Sequence, residues 1–369
     1  MSYRVFIPCA GTGSRLGGLT QFINKSLVSI ANRPTLSHLI EQFPSDVEFV
    51  IALGHKGHLI REFLTLVYPT HQFYFAEVLP FEGLGSGLGL SMKTCKQYLQ
   101  QPFVFISCDT LVEEAIPAPD ENWMAYAEVA DIQPYRTISL SADIVSAICE
   151  KGEGQAPTHK AYIGLAGIRD YQQFWTAMEQ GGEIAIETGE AHGMRNLLPN
   201  TIKAHSFTWH DTGNPEALRQ TRQHYREPDE PNILEKANEA IWFVDGKVIK
   251  FSDDQRFIAN RVKRVIQLRG FVPEVTGAES HMYRYPKVQG KVLSEVVTVP
   301  LFDRLLEHCT HFWEQKTLSS AESVAFQETC MSFYRDKTFE RVALFYKNFG
   351  RKDGLEPING KEMDSLDSL

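Results

Sequence analysis

The chain has 369 residues, of which 43% are hydrophobic, and its formal net charge is −9. The hydrophobic content allows a sizeable core, and the length predicts at least two domains. The negative charge and the lack of a dense basic run argue against nucleic acid and anionic membranes as partners. Its six cysteines are widely spaced without a CxxC pair, and no signal pattern or long apolar run occurs, so we expect a cytoplasmic protein with reduced thiols.

The first predicted element is a buried strand, Val5–Pro8, that ends in a glycine-containing loop. Glycines after a strand let backbone N–H groups approach phosphates closely, so the loop predicts a nucleotide-binding segment. Arg15 and, ten residues later, Lys25 place two positive charges where a triphosphate carries negative ones. The loop residues that we expect at the nucleotide are Ala10, Gly11, Thr12, Gly13 and Ser14.

Two other kinds of nucleotide-binding loop are disfavoured. A dinucleotide-binding fingerprint would need a third glycine or alanine where Leu16 stands, and no carboxylate ends the strand Phe49–Leu53 to bind a ribose. A Walker-type GxxxxGK[ST] sequence does not occur. The remaining alternative is a glycine turn with a solvated arginine, and the spacing of Arg15 and Lys25 argues against it.

Strands and helices alternate as far as about Tyr225, which predicts an α/β domain with a Rossmann-like sheet. Ligands of such sheets gather at the carboxyl ends of the strands. The predicted strands are Val5–Pro8, Phe49–Leu53, Phe73–Val78, Phe103–Ser107, Ala125–Ala130, Ile144–Cys149 and Ile202–Trp209. The predicted helices are Pro34–Gln42, Gly57–Tyr68, Gly87–Leu99 and Tyr171–Glu179.

Two aspartates follow predicted strands and are candidates for a functional site. Asp109 comes after the apolar run Phe103–Ile106, where a carboxylate without a partner would be costly. Asp211 follows Ile202–Trp209, and the next residues, Asn214 and Pro215, are typical of a helix start. An aspartate that caps the following turn is the alternative for Asp109.

The chain changes character at residues 226–231, which contain two prolines and four charged residues. We interpret this run as a linker between a domain 1–225 and a region 232–300, and we expect few contacts to cross it. Beyond it the pattern predicts strands at Ala240–Val244, Gly246–Phe251, Tyr283–Pro286 and Val292–Ser294, and a helix near Asp254–Leu268. Residues 301–369 predict an incomplete helical region, with helices at Phe302–Gln315 and Ala321–Asn348.

The ordered motifs resemble those of the nucleotidyltransferases that activate sugar phosphates and phospho-alcohols with an NTP. The opening of that family, roughly AGxGSRLxxLT and then PKxL, is similar to Ala10–Leu16 and Lys25, with Asn24 in place of the proline. The family's WxDTG matches Trp209–Gly213, and Cys108 replaces the usual glycine before Asp109. The resemblance covers about residues 3–222 and implies a GT-A-like mixed sheet.

The resemblance also implies a role for each matched position. Asp109 and Asp211 would hold Mg²⁺, Arg15 would meet the departing pyrophosphate, and Lys25 would meet the α-phosphate and the acceptor phosphate. Gly85-Ser86-Gly87 stands in for the family's Gly-Thr-Ala, which leaves the choice of base open, and a surface Glu-Lys pair is the alternative for the acceptor contact. The implied nucleotide contacts are Gly83, Gly85 and Ser86, and the implied acceptor contacts are Glu150, Lys151 and Gly167.

The implied reaction joins an NMP from an NTP to a phosphorylated small molecule and releases pyrophosphate. The acceptor is a sugar 1-phosphate, a phospho-alcohol or a phospho-amide, and surface polysaccharide or capsule biosynthesis is the expected setting. The NTP and the acceptor are the expected partners, and a homo-oligomer is compatible with the sequence. The alternatives are a catalytically silent nucleotide-binding regulatory or scaffold protein and a fragment of a bifunctional kinase–nucleotidyltransferase.

A second resemblance concerns residues 232–300. Lys250, on a strand after a hairpin, and the segment Met282–Leu293 resemble the N-lobe lysine and the hinge of choline-kinase and aminoglycoside-phosphotransferase-like proteins. The HxD loop and the metal motif of a kinase C-lobe do not follow Lys250 in this sequence. The resemblance therefore implies a kinase-N-lobe-like region that is either truncated or a non-catalytic remnant.

Overall fold

The protein is described here by a computed structural model, which covers residues 2–226, 233, 235–313, 315–354 and 357–365. The chain forms two compact units, residues 1–292 and residues 293–369. The predicted linker lies almost entirely outside the described residues, since only Arg226 of residues 226–231 is described.

The first unit begins with an α/β region. Its strands are β1 (Arg4–Pro8), β2 (Ser29–Ile30), β3 (Arg33–Pro34), β4 (Glu48–Leu53), β5 (Phe73–Glu77), β6 (Phe103–Ile106), β7 (Thr110–Val112), β8 (Asn122–Ala127), β9 (Thr137–Ser141), β10 (Ile144–Cys149), β11 (His159–Ile168), β12 (Ile202–Ser206) and β13 (Trp209–Asp211). Its helices are α1 (Thr35–Ile40), α2 (Gly57–Val67), α3 (Leu88–Cys95), α4 (Tyr171–Gln180), α5 (Gly182–Thr188), α6 (Glu190–Leu197) and α7 (Pro215–His224).

Within the described residues, nine strands form one sheet in the order β5-β4-β1-β6-β11-β8-β12-β10-β9. Strands β5, β4, β1 and β6 run parallel, whereas β11 is antiparallel to both β6 and β8. The predicted mixed α/β sheet is therefore confirmed. A second, two-stranded sheet pairs β13 with β7 next to the end of β6.

The inner parallel strands β4, β1 and β6 are buried on both faces, which explains their continuous apolar sequences. Side chains alternate along β1, so Val5 and Ile7 pack on one face of the sheet and Phe6 packs on the other. On the first face, α2 contributes Leu59 and Phe63, which lie one helical turn apart and are fully or nearly fully buried. This packing positions the carboxyl ends of the strands, and therefore the loops that follow them.

The predicted strands and helices of residues 1–225 are confirmed to within a few residues at their ends, with one exception: the strand predicted over Ile202–Trp209 ends at Ser206, and Trp209 begins β13. The short strands β2, β3 and β7, the strand β9 and the helices α5 and α6 were not predicted from the sequence, and of β11 only Ala166–Ile168 was expected to be a strand. Strand β11, with the apolar and small residues of His159–Ile168, crosses the centre of the sheet between β6 and β8.

After residue 235 the first unit continues with an antiparallel sheet, β14 (Glu239–Val244), β15 (Lys247–Ser252), β16 (Gly277–Ala278) and β17 (Met282–Pro286), and helix α8 (Gln255–Gln267). Its strand order is β14-β15-β17-β16, which confirms the predicted hairpin, helix and strand. Lys250 lies on β15, as the second resemblance implies.

The expectation that few contacts cross the break at residues 226–231 is wrong. Trp242 is fully buried, its ring meets the edge of Phe63 at 5.5 Å between centroids, and its Nε1 donates to Ser29 Oγ at 2.9 Å. The His281 N–H donates to Glu62 Oε2 at 2.9 Å. The sheet of residues 239–286 therefore shares a core with the preceding region, because its hydrophobic face would otherwise be exposed to solvent.

The second unit contains α9 (Leu293–Val296), α10 (Val299–Phe312), α11 (Ser320–Cys330), α12 (Lys337–Phe349) and a short hairpin of β18 (Pro357–Ile358) and β19 (Lys361–Glu362). The strand predicted at Val292–Ser294 is wrong, because these residues lead into α9. The helix predicted over Ala321–Asn348 is interrupted by a π-helical turn, Met331–Asp336. No helix among the described residues is long and apolar enough to cross a membrane.

Candidate active site

The loop after β1 is shaped by Gly13, whose φ of 67° lies in the left-handed region. A Cβ on Gly13 would lie 2.8 Å from Lys25 Cβ and 3.0 Å from Thr20 Cγ2, so no larger residue fits between the loop and Lys25. Thr20 Oγ1 donates to the carbonyl oxygen of Gly13 at 3.2 Å. A 3₁₀ turn follows over Ser14–Thr20 and carries Arg15 on the exposed side of the loop.

Asn24, which stands where the family has proline, is fully buried and joins three segments. Its Nδ2 donates to the carbonyl oxygens of Cys9 at 2.9 Å and His55 at 2.7 Å, and its Oδ1 accepts from the N–H of Ser26 at 2.9 Å. The side chain thereby caps the 3₁₀ turn that begins at Lys25 and ties it to the carboxyl ends of β1 and β4. Asparagine thus fixes Lys25 by hydrogen bonds where a proline would restrict the backbone.

Lys25 and Asp109 form an ion pair at the carboxyl end of β6, with Nζ 2.9 Å from Oδ2. The other carboxylate oxygen, Oδ1, accepts a 2.5 Å hydrogen bond from Ser107 Oγ. Burial alone would raise the pKa of Asp109, but the charge of Lys25 and these hydrogen bonds outweigh it and lower the pKa to about 2. Burial alone would lower the pKa of Lys25, and the charge of Asp109 raises it instead.

Asp211 is brought to Asp109 by the short sheet of β13 and β7, in which Asp211 is paired with Thr110. The N–H of Thr212 donates to the carbonyl oxygen of Asp109 at 3.0 Å. The carboxylate of Asp211 accepts from the Gly213 N–H at 2.8 Å and from Asn214 Nδ2 at 3.2 Å. Burial raises the pKa of Asp211, and the negative charge of Asp109 adds to the effect against the opposing hydrogen bond from Gly213.

Gly213 shows how closely three of the predicted residues approach one another. A Cβ on this glycine would lie 3.0 Å from Asp109 Oδ2, 3.1 Å from Asp211 Oδ1 and 3.3 Å from Arg15 Nη2. The missing side chain therefore leaves a small space that two carboxylates and one guanidinium surround. Together with Lys25, the structure brings together the four residues that the sequence predicted at a metal and a triphosphate.

The glycine-rich segment predicted at the nucleotide lies at the same edge of the sheet. Gly54 lets the chain near Phe81 pass close to the loop after β1, since a Cβ on Gly54 would lie 2.5 Å from the carbonyl oxygen of Ala10 and 2.7 Å from Phe81 Cβ. The segment then turns at Gly83, which has φ 81°, and the carbonyl oxygen of Gly83 accepts from Ser86 Oγ at 2.6 Å. Gly85 is also in the left-handed region and is exposed, so both predicted glycines lie in an exposed turn beside the loop after β1.

Of the two adjacent residues predicted at the acceptor, one is held by ion pairs and the other is exposed to solvent. Glu150 accepts hydrogen bonds from Arg136 Nε at 2.9 Å and from Arg195 Nη2 at 2.5 Å, whereas Lys151 is exposed. Burial would raise the pKa of Glu150, but the bonds from Arg195 and Arg136 lower it. Glu150 is thus an anchored anion, and neither arginine was predicted, because 14 and 45 residues separate them from it in sequence.

Gly167 was expected to contact the acceptor, but its position gives it a packing role instead. Gly167 is buried, and a Cβ there would lie 2.1 Å from Trp123 Nε1, so the glycine makes room for the indole. Gly164 of the same strand is the glycine next to the site, because its carbonyl oxygen accepts from the Ser107 N–H at 2.8 Å. Ser107 was also missed, although a hydroxyl two residues before a buried aspartate is a usable signal.

Comparison with known proteins finds relatives for part of the chain. No protein-family model matches the chain. The chain is 26% identical over 236 residues to the bifunctional protein GlmU of Methanococcus maripaludis, which is 59% of this chain and 53% of the relative. It is 26% identical over 238 residues to the low-salt glycan biosynthesis nucleotidyltransferase Agl11 of Haloferax volcanii, which is 58% of this chain and 63% of the relative. The chain thus spans about half to two thirds of the length of these relatives.

Solved structures share the fold of more than half of the chain. A UDP-glucose pyrophosphorylase in complex with UDP-glucose superposes with a TM-score of 0.51 at 17% identity, over 61% of this chain and 98% of that one. A putative glucose-1-phosphate thymidylyltransferase from Bacillus anthracis superposes with a TM-score of 0.50 at 15% identity, over 64% and 98% of the two chains. Agl11 and the Bacillus anthracis protein are named as nucleotidyltransferase and thymidylyltransferase, and the two solved structures share their fold with this chain.

Proposed function

We propose that the protein is an Mg²⁺-dependent nucleotidyltransferase that joins the NMP of an NTP to a sugar 1-phosphate and releases pyrophosphate. The observation that carries this proposal is the convergence of Arg15, Asp109 and Asp211 around the space beside Gly213, with Lys25 paired to Asp109. Two carboxylates next to two cations suit a ligand that contains both a divalent metal and several phosphate charges.

The donor set fits Mg²⁺. Each of the four carboxylate oxygens of Asp109 and Asp211 accepts a hydrogen bond from a described residue, which leaves a lone pair on each oxygen for a cation. Carboxylate oxygens are the protein ligands that Mg²⁺ prefers. When bound, Mg²⁺ would neutralise negative charge on the phosphates of the NTP.

The residues of the chain supply positioning and charge. A phosphate monoester has its second pKa at about 6, so it is mostly a dianion at neutral pH. The acceptor phosphate is therefore already a nucleophile and needs no general base. Arg15 lies on the exposed side of the loop, where it can stabilise the charge of departing pyrophosphate, and Lys25 lies deeper, where it can hold the α-phosphate and the attacking oxygen together. Such positioning and charge stabilisation account for most of the catalysis of phosphoryl-group reactions.

A sugar 1-phosphate is the acceptor class that the comparisons favour, since two of the similar proteins carry glucose 1-phosphate in their names. Lys151, exposed beside the anchored Glu150, is the proposed contact for the acceptor phosphate. Phospho-alcohols and phospho-amides are the second acceptor class to test. A role in surface polysaccharide biosynthesis belongs to the same proposal.

We further propose that residues 239–286 are a kinase-N-lobe-like region without kinase activity. Lys250 stands on β15, one of the two inner strands of the sheet, and α8 follows that strand in the chain. The Lys250 Nζ, however, contacts Glu239 Oε2 of the neighbouring strand at 2.6 Å, and α8 contains no glutamate to pair with it. This lysine therefore holds two strands together, and we expect no phosphorylation of free alcohols by this chain.

The test is pyrophosphate release by the full chain, measured with each of the four common NTPs against a panel of sugar 1-phosphates and phospho-alcohols. Asp211→Asn is the inactive variant, and Asp143→Asn, in the exposed turn between β9 and β10, is the matched control. We expect release with at least one pair of substrates, lost in Asp211→Asn and kept in Asp143→Asn. Binding of NTP without release from any pair would favour the catalytically silent alternative.

A further inference from the structure

Three side chains of types that can ligate metals lie close together where β7, β13 and α7 meet. Glu113 directly follows β7, His210 lies in β13 next to Asp211, and His224 is the last residue of α7. His210 Nε2 is 2.8 Å and His224 Nε2 is 2.9 Å from the same carboxylate oxygen, Glu113 Oε1. The two imidazole rings are stacked, with centroids 4.2 Å apart, so both nitrogens point to one place.

We propose that Glu113, His210 and His224 form a binding site for a divalent transition metal of the Zn²⁺ type, separate from the magnesium site. One ligand atom from each residue lies within 4.8 Å of the other two. Tetrahedral Zn²⁺ with bonds of about 2.0 to 2.2 Å needs ligand atoms about 3.3 Å apart. To close around the ion, the two histidine nitrogens need to approach each other by at most about 1.5 Å, and each needs to move about 0.4 to 0.5 Å away from Glu113 Oε1.

The side chains have the freedom for these movements. Glu113 and His224 have side-chain exposures of 45% and 52%, so both can change rotamer without disturbing the core, whereas His210 at 15% is the fixed member. Tyr225 limits the movement of both rings, since its own ring lies 5.3 Å from each of the two imidazoles. A partly fixed pair of imidazoles next to a mobile carboxylate is well suited to capture an ion from solution.

The donor types decide which ion the site would take. Two imidazole nitrogens and one carboxylate oxygen suit Zn²⁺, Co²⁺ or Ni²⁺, whereas Mg²⁺ and Ca²⁺ prefer sites made of oxygen alone. Three protein ligands leave the fourth tetrahedral position to water. The site differs in this way from Asp109 and Asp211, which offer only oxygen.

The bound ion would stabilise the part of the fold that holds Asp211. The β7–β13 sheet brings Asp211 to Asp109, and α7 starts directly after the turn at Gly213. An ion at the cluster would join β7, β13 and the carboxyl end of α7. The turn at Gly213, which connects β13 to α7, would then lie between two anchored elements. We therefore expect Zn²⁺ to raise the thermal stability of the full chain.

The experiment is a titration of the chelator-treated full chain with Co²⁺ in excess Mg²⁺, which keeps the oxygen site occupied. Visible d–d absorption reports nitrogen and oxygen coordination, and thermal unfolding with Zn²⁺ is the second readout. The variants are His224→Gln and, as the matched control, His311→Gln, an exposed histidine of α10. We expect one Co²⁺ per chain, at least about tenfold weaker binding in His224→Gln and unchanged binding in His311→Gln.

Two results would overturn the proposal. One is the absence of stoichiometric Co²⁺ binding by the unmodified chain, with no rise in unfolding temperature on adding Zn²⁺. The other is equal affinity in His224→Gln and His311→Gln, which would assign the bound ion to another place. The metal-free unfolding temperatures of both variants show whether a loss of binding reflects a loss of fold.

Discussion

Replacing Asp109 by asparagine should destabilise the metal-free protein, whereas the same change at Asp211 should leave its stability unchanged or raise it. Asp109 is paired with Lys25, so its removal leaves a largely buried lysine without its counterion. Asp211 has no cation at salt-bridge distance among the described residues and faces the negative charge of Asp109. The two carboxylates therefore have opposite effects on folding before any metal or substrate binds.

The magnitude follows from the pKa of Asp109. Its fall from the ordinary value of 3.8 to about 2 corresponds to about 2 kcal/mol of stability at neutral pH. Because the folded-state pKa is lowered, this contribution is present above the unfolded pKa and is lost as the pH falls from about 4 through about 2. A loss of about 2 kcal/mol lowers the unfolding temperature by about 3 °C in a unit that spans residues 1–292, because the unfolding entropy is about 2.1 cal/mol/K per residue.

For Asp211 the sign is reversed. Its folded-state pKa is raised, so the folded protein binds this proton more tightly than the unfolded chain does, and the ionised carboxylate lowers stability at neutral pH. Asparagine removes that charge. The stability gain over the unmodified protein should be largest at neutral pH and shrink as acid protonates Asp211.

The assay is thermal unfolding in a chelator at neutral pH and again at about pH 4, with Asp143→Asn as the control. Both active-site variants should also reduce turnover on the order of 10²-fold or more, because each removes charge from a preorganised site. Equal destabilisation by the two substitutions, or a larger loss for Asp211→Asn, would refute the assigned ion pair.

Three further substitutions follow from the site and the core. Lys25→Ala should lower kcat, and Lys151→Ala should chiefly raise the acceptor KM, since we propose that only the first residue contacts the reacting phosphate; the reverse pattern in steady-state kinetics would mean that their roles are exchanged. Gly213→Ala should reduce turnover by on the order of 10²-fold while the protein stays folded, because the new Cβ occupies the space between the carboxylates, and Gly354→Ala, whose Cβ meets nothing within 4 Å, is the control. Trp242→Ala should cost about 3 to 5 kcal/mol of unfolding free energy in denaturant titration, and a cost below about 1 kcal/mol would show that the sheet of residues 239–286 is not part of the shared core.

The sequence predicted which residues lie close together where a motif combines a strand end with a fixed chain order. The apolar run before Asp109 and the apolar strand before Asp211 place both carboxylates at the same edge of the sheet, and the structure brings them together. Lys25 could be predicted because its distance from the glycine loop is fixed. These features are local, so a single sequence contains them.

What the sequence did not predict depends on contacts between distant segments. Glu150 meets Arg136 and Arg195 only because β10, β9 and α6 are packed side by side. Gly167 matched a motif, but β11 carries two glycines, and only the register with β6 shows which of them lies by the site. Likewise, the charged, proline-rich run near residue 228 indicated a boundary, and the packing of Trp242 that overrides it has no local signal.

Transfer of the α-phosphate is the most direct test of the central claim. The full chain is incubated with Mg²⁺, a sugar 1-phosphate and an NTP labelled either at the α- or at the γ-phosphate, and the products are separated. The proposed function predicts that the α-label enters the acceptor product in an amount equal to the pyrophosphate formed, and that Asp211→Asn abolishes both. Transfer of the γ-label to the acceptor, or pyrophosphate formation that Asp211→Asn leaves intact, would contradict it.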